Sequence, residues 1–283
     1  MALTASRYGK ERVRVLRLVR DGDRHTPREL TLSVMLTGRF EAAWTEGDNR
    51  ASIATDSIRN IVNVTAARDL ALDAEAFVAA VAQVLLETYP QVETVAIEAE
   101  EIRWLRHALG DAPHDHTFTR DGNGVGFVEL AASRAGSTLR SGLRGYTFMK
   151  TTQSGWTGFV ADEYRTLPDT TDRIAATSMD ATWTWASAPQ DHGAANARIL
   201  TTLLTVFGTT YSRGIQDSMF RMGEAALAAV PELAEIGFVM PNKHYLPIDL
   251  KPFGLENPGT VFLPTDEPYG RIEATISRTG RSA

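Results

Sequence analysis

The sequence predicts an α+β protein: two antiparallel-sheet domains, each with helices on one face. Three observations predict it. The chain opens on two apolar–polar alternating runs joined by a turn signal, a strongly amphipathic helix follows, and the second half repeats that order of signals. At 283 residues the chain is long enough for two domains, which we place at 1–135 and 136–283.

From Glu11 to Arg20, Val13 and Val15 oppose Arg12 and Arg14, the alternation of a strand. Asp21-Gly22-Asp23 is a turn signal, after which Leu30, Leu32, Val34 and Leu36 alternate with Thr31, Ser33, Met35 and Thr37. The opening is therefore a hairpin, and its partly polar outer face implies a sheet covered on one side. Ala74 to Tyr89 carries Phe77, Val81, Val84, Leu85 and Tyr89 at spacings of three and four, with Asp73 placed to cap the helix and Pro90 to stop it. Val92 to Ile102 returns to strand alternation. A strand pair is expected around Thr117 and Val125 to Leu130, turning through Asp121-Gly122-Asn123-Gly124.

In the second half, Tyr146–Thr152 and Met179–Trp185 read as strands, Ala194–Phe207 and Gln216–Val230 as helices, and Glu235–Met240 and Glu273–Arg278 as closing strands. Each half thus reads strand, strand, helical segment, strand, strand, with no repeat visible at the level of individual residues. Two small sheets of this kind each leave edges and an apolar face, which oligomerisation usually covers.

The absence of cysteine rules out disulfide frameworks, thiolate zinc sites, iron–sulfur clusters and a cysteine nucleophile. A net charge of −6 disfavours broad nucleic-acid binding. No stretch approaches the eighteen or so apolar residues of a membrane span. Met1–Lys10 has no apolar signal region, and Arg281-Ser282-Ala283 is not a peroxisomal tripeptide, so a bacterial cytoplasmic location is expected. Of the 29 basic residues only Lys10, Lys150, Lys243 and Lys251 are lysines. That bias makes each lysine worth examining, because lysine, unlike arginine, can lose its proton when desolvated.

Three places stand out for chemistry. Tyr8-Gly9-Lys10 stands just ahead of the first strand. Thr55 or Asp56, within Ala54-Thr55-Asp56-Ser57, stands where a helix should begin and could be an ordinary N-cap. Asn242-Lys243-His244-Tyr245 follows Met240-Pro241 and reads as a turn after a strand. His114-Asp115-His116 has the two-apart spacing of a metal pair in a strand but no evident third ligand, which favours a loop or hairpin end. Gly122-Asn123-Gly124-Val125-Gly126 lacks the spacing of a phosphate loop and opens no helix, which favours a hairpin turn.

Taken together, Arg7-Tyr8-Gly9-Lys10, Ala54-Thr55-Asp56-Ser57-Ile58-Arg59-Asn60, Asp162-Glu163-Tyr164 with Thr166-Leu167, Thr171-Asp172-Arg173-Ile174 and Pro241-Asn242-Lys243-His244-Tyr245 resemble the urate oxidase (uricase) family, in order and over nearly the whole chain. The resemblance implies a tandem tunnelling fold (T-fold), assembled as a homotetrameric barrel around a central channel, with active sites at subunit interfaces. It also implies oxidation of urate by O2 and water to 5-hydroxyisourate and hydrogen peroxide, the first step from urate toward allantoin, with neither metal nor organic cofactor.

Carried over residue by residue, Lys10 and Thr55 match the catalytic pair and His244 the third member of the relay. Arg173 and Gln216 match the substrate clamp, with Ile215 beside Gln216 and Asp56 beside Thr55 in the substrate site. Asn242 matches the residue beneath the O2 or water site. Trp156 falls where the family stacks a phenylalanine on the purine, and Phe159 is the alternative stacking ring. The chemistry suits these types: a guanidinium fork for a planar anion, an amide for a purine edge, an indole face for stacking. Two other readings remain: a purine or pterin enzyme of the same fold, which the lack of cysteine disfavours where zinc is used, and a silent purine-binding protein, which the joint presence of Lys10, Thr55 and His244 disfavours.

Overall fold

The computed structural model describes residues 2–278; the C-terminal tripeptide and Met1 lie outside the described residues. Its elements run β1 (Tyr8–Asp21), β2 (Arg24–Gly38), α1 (Glu41–Thr45), α2 (Thr55–Arg68), α3 (Ala74–Thr88), β3 (Val92–Ile102), β4 (Trp104–Leu109), β5 (Ala112–Arg120), β6 (Val125–Ser133), β7 (Gly136–Lys150), β8 (Ala175–Trp185), α4 (His192–Thr209), α5 (Ile215–Ala229), β9 (Leu233–Pro247) and β10 (Phe262–Ser277). The chain divides into two compact units, Met1–Gly142 with Ala188–Gly193, and Leu143–Ser187 with Ala194–Ala283.

In the first unit β1, β2, β3 and β6 are neighbours in that order, and the three pairings among them are antiparallel. β2 supplies the centre of the core because every second residue, Leu30, Leu32, Val34 and Leu36, is fully buried. Ile58 and Val62 of α2 and Phe77, Val81 and Leu85 of α3 pack onto that face, each contributing roughly 1.5–3 kcal/mol by leaving water. Asp73 caps α3 as its position suggested, accepting the Ala76 N–H at 2.7 Å. One inward position of β1 breaks the apolar pattern. Arg17 is 2 % exposed, its guanidinium lies 4.2 Å from the Phe77 ring centroid, and burial, with Arg28 adding to it, lowers its pKa to about 10.

The second unit has the same plan. β8, β9 and β10 follow in order, with β9 antiparallel to both neighbours, and Met179, Trp183, Leu203, Met219, Met222 and Ile236 form the core with α4 and α5.

Three expectations need correction. β5 and β6 are not a hairpin: β5 pairs with β4 in a separate two-stranded ribbon, and β6 pairs with β3. The tight turn is Gly110-Asp111, joining Leu109 to Ala112 with Gly110 at φ +62°. Asp121-Gly122-Asn123-Gly124 instead leads from the ribbon back to the sheet. The Asp121 N–H donates to the Arg103 carbonyl at 2.9 Å, and the Asp121 carboxylate accepts the Asn123 N–H at 3.0 Å.

Secondly, Asn242–Tyr245 is no turn. β9 continues through it because β10 pairs with it on both sides of a bulge, Asn242 opposite Gly270 and His244 opposite Thr265.

Thirdly, the duplication goes beyond element order to register, at an offset of 141 positions from α3 into the following strand, although few of the matched residues are identical. Ala74–Thr88 matches Ile215–Ala229 end to end, and Tyr89-Pro90-Gln91-Val92 matches Val230-Pro231-Glu232-Leu233. After β6, Arg134 donates to the carbonyls of Leu86, Tyr89 and Val92. After β10, Arg278 does the same for Leu227, Val230 and Leu233. Both arginines satisfy carbonyls that a helix C-terminus leaves open.

Candidate active site

In the first unit, the strand of Lys10 and the helix of Thr55 are tied together by Tyr8. The Ile53 N–H donates to the Tyr8 hydroxyl at 2.7 Å, and the Tyr8 ring stands edge-on to Phe40 at 5.0 Å. Burial raises the pKa of this phenol, so it stays neutral. Gly9 is dictated by packing: a Cβ there would collide with the Val34 carbonyl oxygen of β2. Lys10 itself pairs with Val34 and is half-buried, followed by a bulge before Val13.

The N-cap expectation for Thr55 or Asp56 is also corrected. Ala54 is the N-cap of α2, and it has no capping side chain. The Ser57 and Ile58 N–H groups donate to the Ala54 carbonyl at 2.9 and 3.3 Å, so it is Thr55 and Asp56 whose N–H groups stand at the positive end of the helix dipole. The Asp56 carboxylate is engaged locally, with Arg59 at 2.6 Å and the Asn60 amide at 3.0 Å.

In the second unit, backbone bonds gather the other candidates. Trp156 and Thr170 exchange bonds of 2.7 and 3.0 Å, the Gly155 N–H donates to Ser212 at 2.9 Å, and the Arg173 N–H donates to Ser154 at 2.8 Å. The Tyr211 hydroxyl donates to the Thr171 carbonyl at 2.8 Å. This lattice draws the 153–173 segment onto the start of α5, whose first two residues are Ile215, buried, and Gln216, exposed.

Trp156 and Gln216 both approach Gly214 there. A Cβ built on Gly214 would lie 2.7 Å from Trp156 Cζ3 and 3.3 Å from Gln216 Oε1. The Phe159 ring stacks on the indole, its centroid 5.5 Å from that of Trp156 and the planes at 19°, with the Arg165 guanidinium 3.9 Å from the Phe159 centroid.

Arg173 is the electrostatic centre. Its neighbouring acids are used elsewhere: Asp172 accepts from Thr152 at 2.9 Å and Asp169 pairs with Arg165 at 2.6 Å. Among the described residues no carboxylate pairs with Arg173, and its buried Nε has no hydrogen-bond partner. Burial lowers its pKa, with Tyr211 opposing. A desolvated guanidinium without a counter-charge favours an anionic ligand.

Asn242 and His244 lie two apart in β9 and so share a face, while Lys243 between them points the other way and bonds Asp266 at 2.9 Å.

A uricase family model matches residues 6–130 and 139–273. The chain belongs to the uricase family. The uricase of Arthrobacter globiformis is 38% identical over 283 residues, spanning 100% of this chain and 92% of its own. The uricase of Aspergillus flavus is 34% identical over 296 residues, spanning 98% and 97%. The crystal structure of the Arthrobacter globiformis uricase superposes with a TM-score of 0.92 at 37% identity, covering 100% of this chain and 97% of that one. The fold is thus that of the uricases, the T-fold. Within this family frame, the first unit carries Lys10, Thr55 and Asp56, and the second carries Trp156, Arg173, Ile215, Gln216, Asn242 and His244.

His114 and His116 lie in β5 with rings edge-to-face at 4.5 Å. The one group among the described residues that brings three metal-type ligand atoms together is Asp73, Glu75 and His192. Its atoms are already bonded: Asp73 to Ala76 and His192, and Glu75 to the Ser141 hydroxyl at 2.7 Å. Sequence reasoning missed Gly214 and Tyr211. The only sequence signal for Gly214 was a glycine directly before a helix.

Proposed function

We propose that this chain oxidises urate with O2 and water to 5-hydroxyisourate and hydrogen peroxide, without metal or organic cofactor, as a homotetramer with sites at subunit interfaces in the bacterial cytoplasm. Membership of the uricase family supports urate as the substrate. The observation that carries the reading is the half-buried Arg173, whose buried Nε lacks a partner, on the segment whose backbone bonds to the start of α5, where an indole and an exposed amide both approach Gly214. A flat purine anion needs those three partners: a cationic fork for its oxygen and adjacent nitrogen, an amide for its edge, and a ring for its face. The bacterial source of one relative supports the compartment.

Triplet O2 reacts slowly with closed-shell molecules, and most oxidases use a metal or flavin for that reason. An electron-rich purine anion can itself donate, so the protein's task is deprotonation and positioning. Lys10 takes the proton, Thr55 relays it, and His244 orients the amine or shares its proton. The purine then loses an electron pair, O2 takes it with two protons to become peroxide, and water adds to the oxidised ring. Asn242 and Thr55 hold first the oxygen and then the water. The N–H groups opening α2 add a positive potential toward the same anion.

The test is absorbance. Metal-stripped protein should bleach the urate band in air while peroxide accumulates. Activity lost on chelation and restored by one added metal overturns cofactor independence; no bleaching at all overturns the function.

A further inference from the structure

The geometry points to Gly214 as the residue that sets the width of the stacking site, by vacating the space that the Trp156 indole occupies. This rests on the reading of Trp156 as the face that meets the purine. The glycine is not required by its backbone: φ is 170°, an extended value that any residue adopts. It is required by sterics, since a Cβ there would stand 2.7 Å from Cζ3 and 3.0 Å from Cε3 of Trp156. Both atoms lie on the benzo edge of the fused indole, which extends beyond the outline of a single phenyl ring.

The indole has little freedom to yield. Its backbone is bridged to Thr170 in both directions, Gly155 is bonded to Ser212, and Phe159 stacks against the ring. The Gln216 amide oxygen lies 3.3 Å from the same point. Any side chain at 214 therefore displaces both the stacking ring and the amide that grips the purine edge. Gly214 is also the N-cap of α5 and gives that helix no capping side chain. Serine would be the ordinary choice at that position, so the chain forgoes a cap to seat the larger ring. Trp156 and Gly214 thus form a complementary pair, a large ring against an empty Cβ position.

The experiment is a two-site cycle read as KM against kcat. Gly214→Ser should raise the KM for urate about tenfold while kcat changes less than about threefold, because the ring and amide act in binding more than in proton transfer. Trp156→Phe combined with Gly214→Ser should return KM to within about threefold of the parent, since coupled neighbours are non-additive. Gly214→Ala, with a smaller intrusion, should show the same sign and serves where the serine variant does not fold. An unchanged KM in either single variant, or a double variant no better than Gly214→Ser, overturns the inference. Calorimetry with xanthine separates the two levels. A parent that oxidises urate, with Gly214 variants that bind xanthine equally well, sinks the inference alone. A parent that neither oxidises urate nor binds xanthine sinks the function as well.

Discussion

At the residue scale, the proposed base and the clamp should fail differently. Lys10→Met is expected to lower kcat by about a hundredfold or more with little change in KM, because a base acts mainly in the transition state; steady-state urate kinetics check it, and near-parental turnover would remove Lys10 from the mechanism. Arg173→Lys should chiefly raise KM, since a point charge cannot replace a two-pronged donor. Of the side chains proposed for chemistry, Lys10, Thr55, Asp56, Arg173, Asn242 and His244 could be named from sequence because they sit in short distinctive strings, such as Tyr8-Gly9-Lys10 or Asn242-Lys243-His244. Trp156, Ile215 and Gln216 were placed only by spacing from such strings. The residues that hold them were not. Tyr8 acts by accepting the Ile53 N–H, 45 positions away in the sequence, and Gly214 by what it lacks. Neither property has a local pattern.

At the element scale, α3 depends on Asp73 twice over. Its carboxylate caps the helix and bonds both the backbone N–H and the ring of His192, each at 3.1 Å. Burial pulls the His192 pKa down, but the bond and charge of Asp73 outweigh it and leave the pKa raised from 6.5. Burial likewise pushes Asp73 up, yet His192 and the Ala76 N–H hold it below 3.8. The histidine contribution is therefore fully present below about 6.5 and is lost as pH rises through its raised pKa; the aspartate contribution is present above about 3.8 and is lost as pH falls. Melting curves should show the gap between the parent and His192→Gln narrowing from about pH 6 to pH 9. A gap that widens would mean the ring is held neutral. Arg134→Met should destabilise the first unit by about 1–2 kcal/mol, read by denaturant unfolding, because three carbonyls lose a donor.

Elements with strong periodicity, α3 and β3 above all, were readable within a residue or two, whereas β2 begins at Arg24, six residues before the apolar alternation that announced it. The continuation of β9 past Pro241 was not, since its pairing partner β10 lies across a bulge that local alternation does not announce. The β4–β5 ribbon was missed for a related reason: its residues are mostly exposed and carry no apolar stripe.

At the scale of the whole molecule, the two groups of candidate residues fall in different units, and the interface reading gives that division a measurable meaning. Lys10→Met and Arg173→Ala proteins, each nearly inactive alone, should regain up to about a quarter of the parental activity when unfolded and refolded together, since random mixing pairs the two intact halves in that fraction of sites. No recovery in mixed particles of about four times 31.0 kDa would place both groups in one subunit's site. The element order of each half was legible from alternation alone; the matching register was not, because few matched residues are identical and the arginine clasps, Arg134 and Arg278, lie far in sequence from the helices they hold.

That shared register has an evolutionary edge. At matching places 141 positions apart stand Glu75 and Gln216, and likewise Glu101 and Asn242: acids in one copy, amides in the other, with Glu75 buried and Gln216 exposed. Laboratory selection for a new substrate should therefore gather its changes around the start of α5 and the outer stretch of β9. The opening turn of α3, where Ser141 and His192 already answer Glu75 and Asp73, should stay almost untouched.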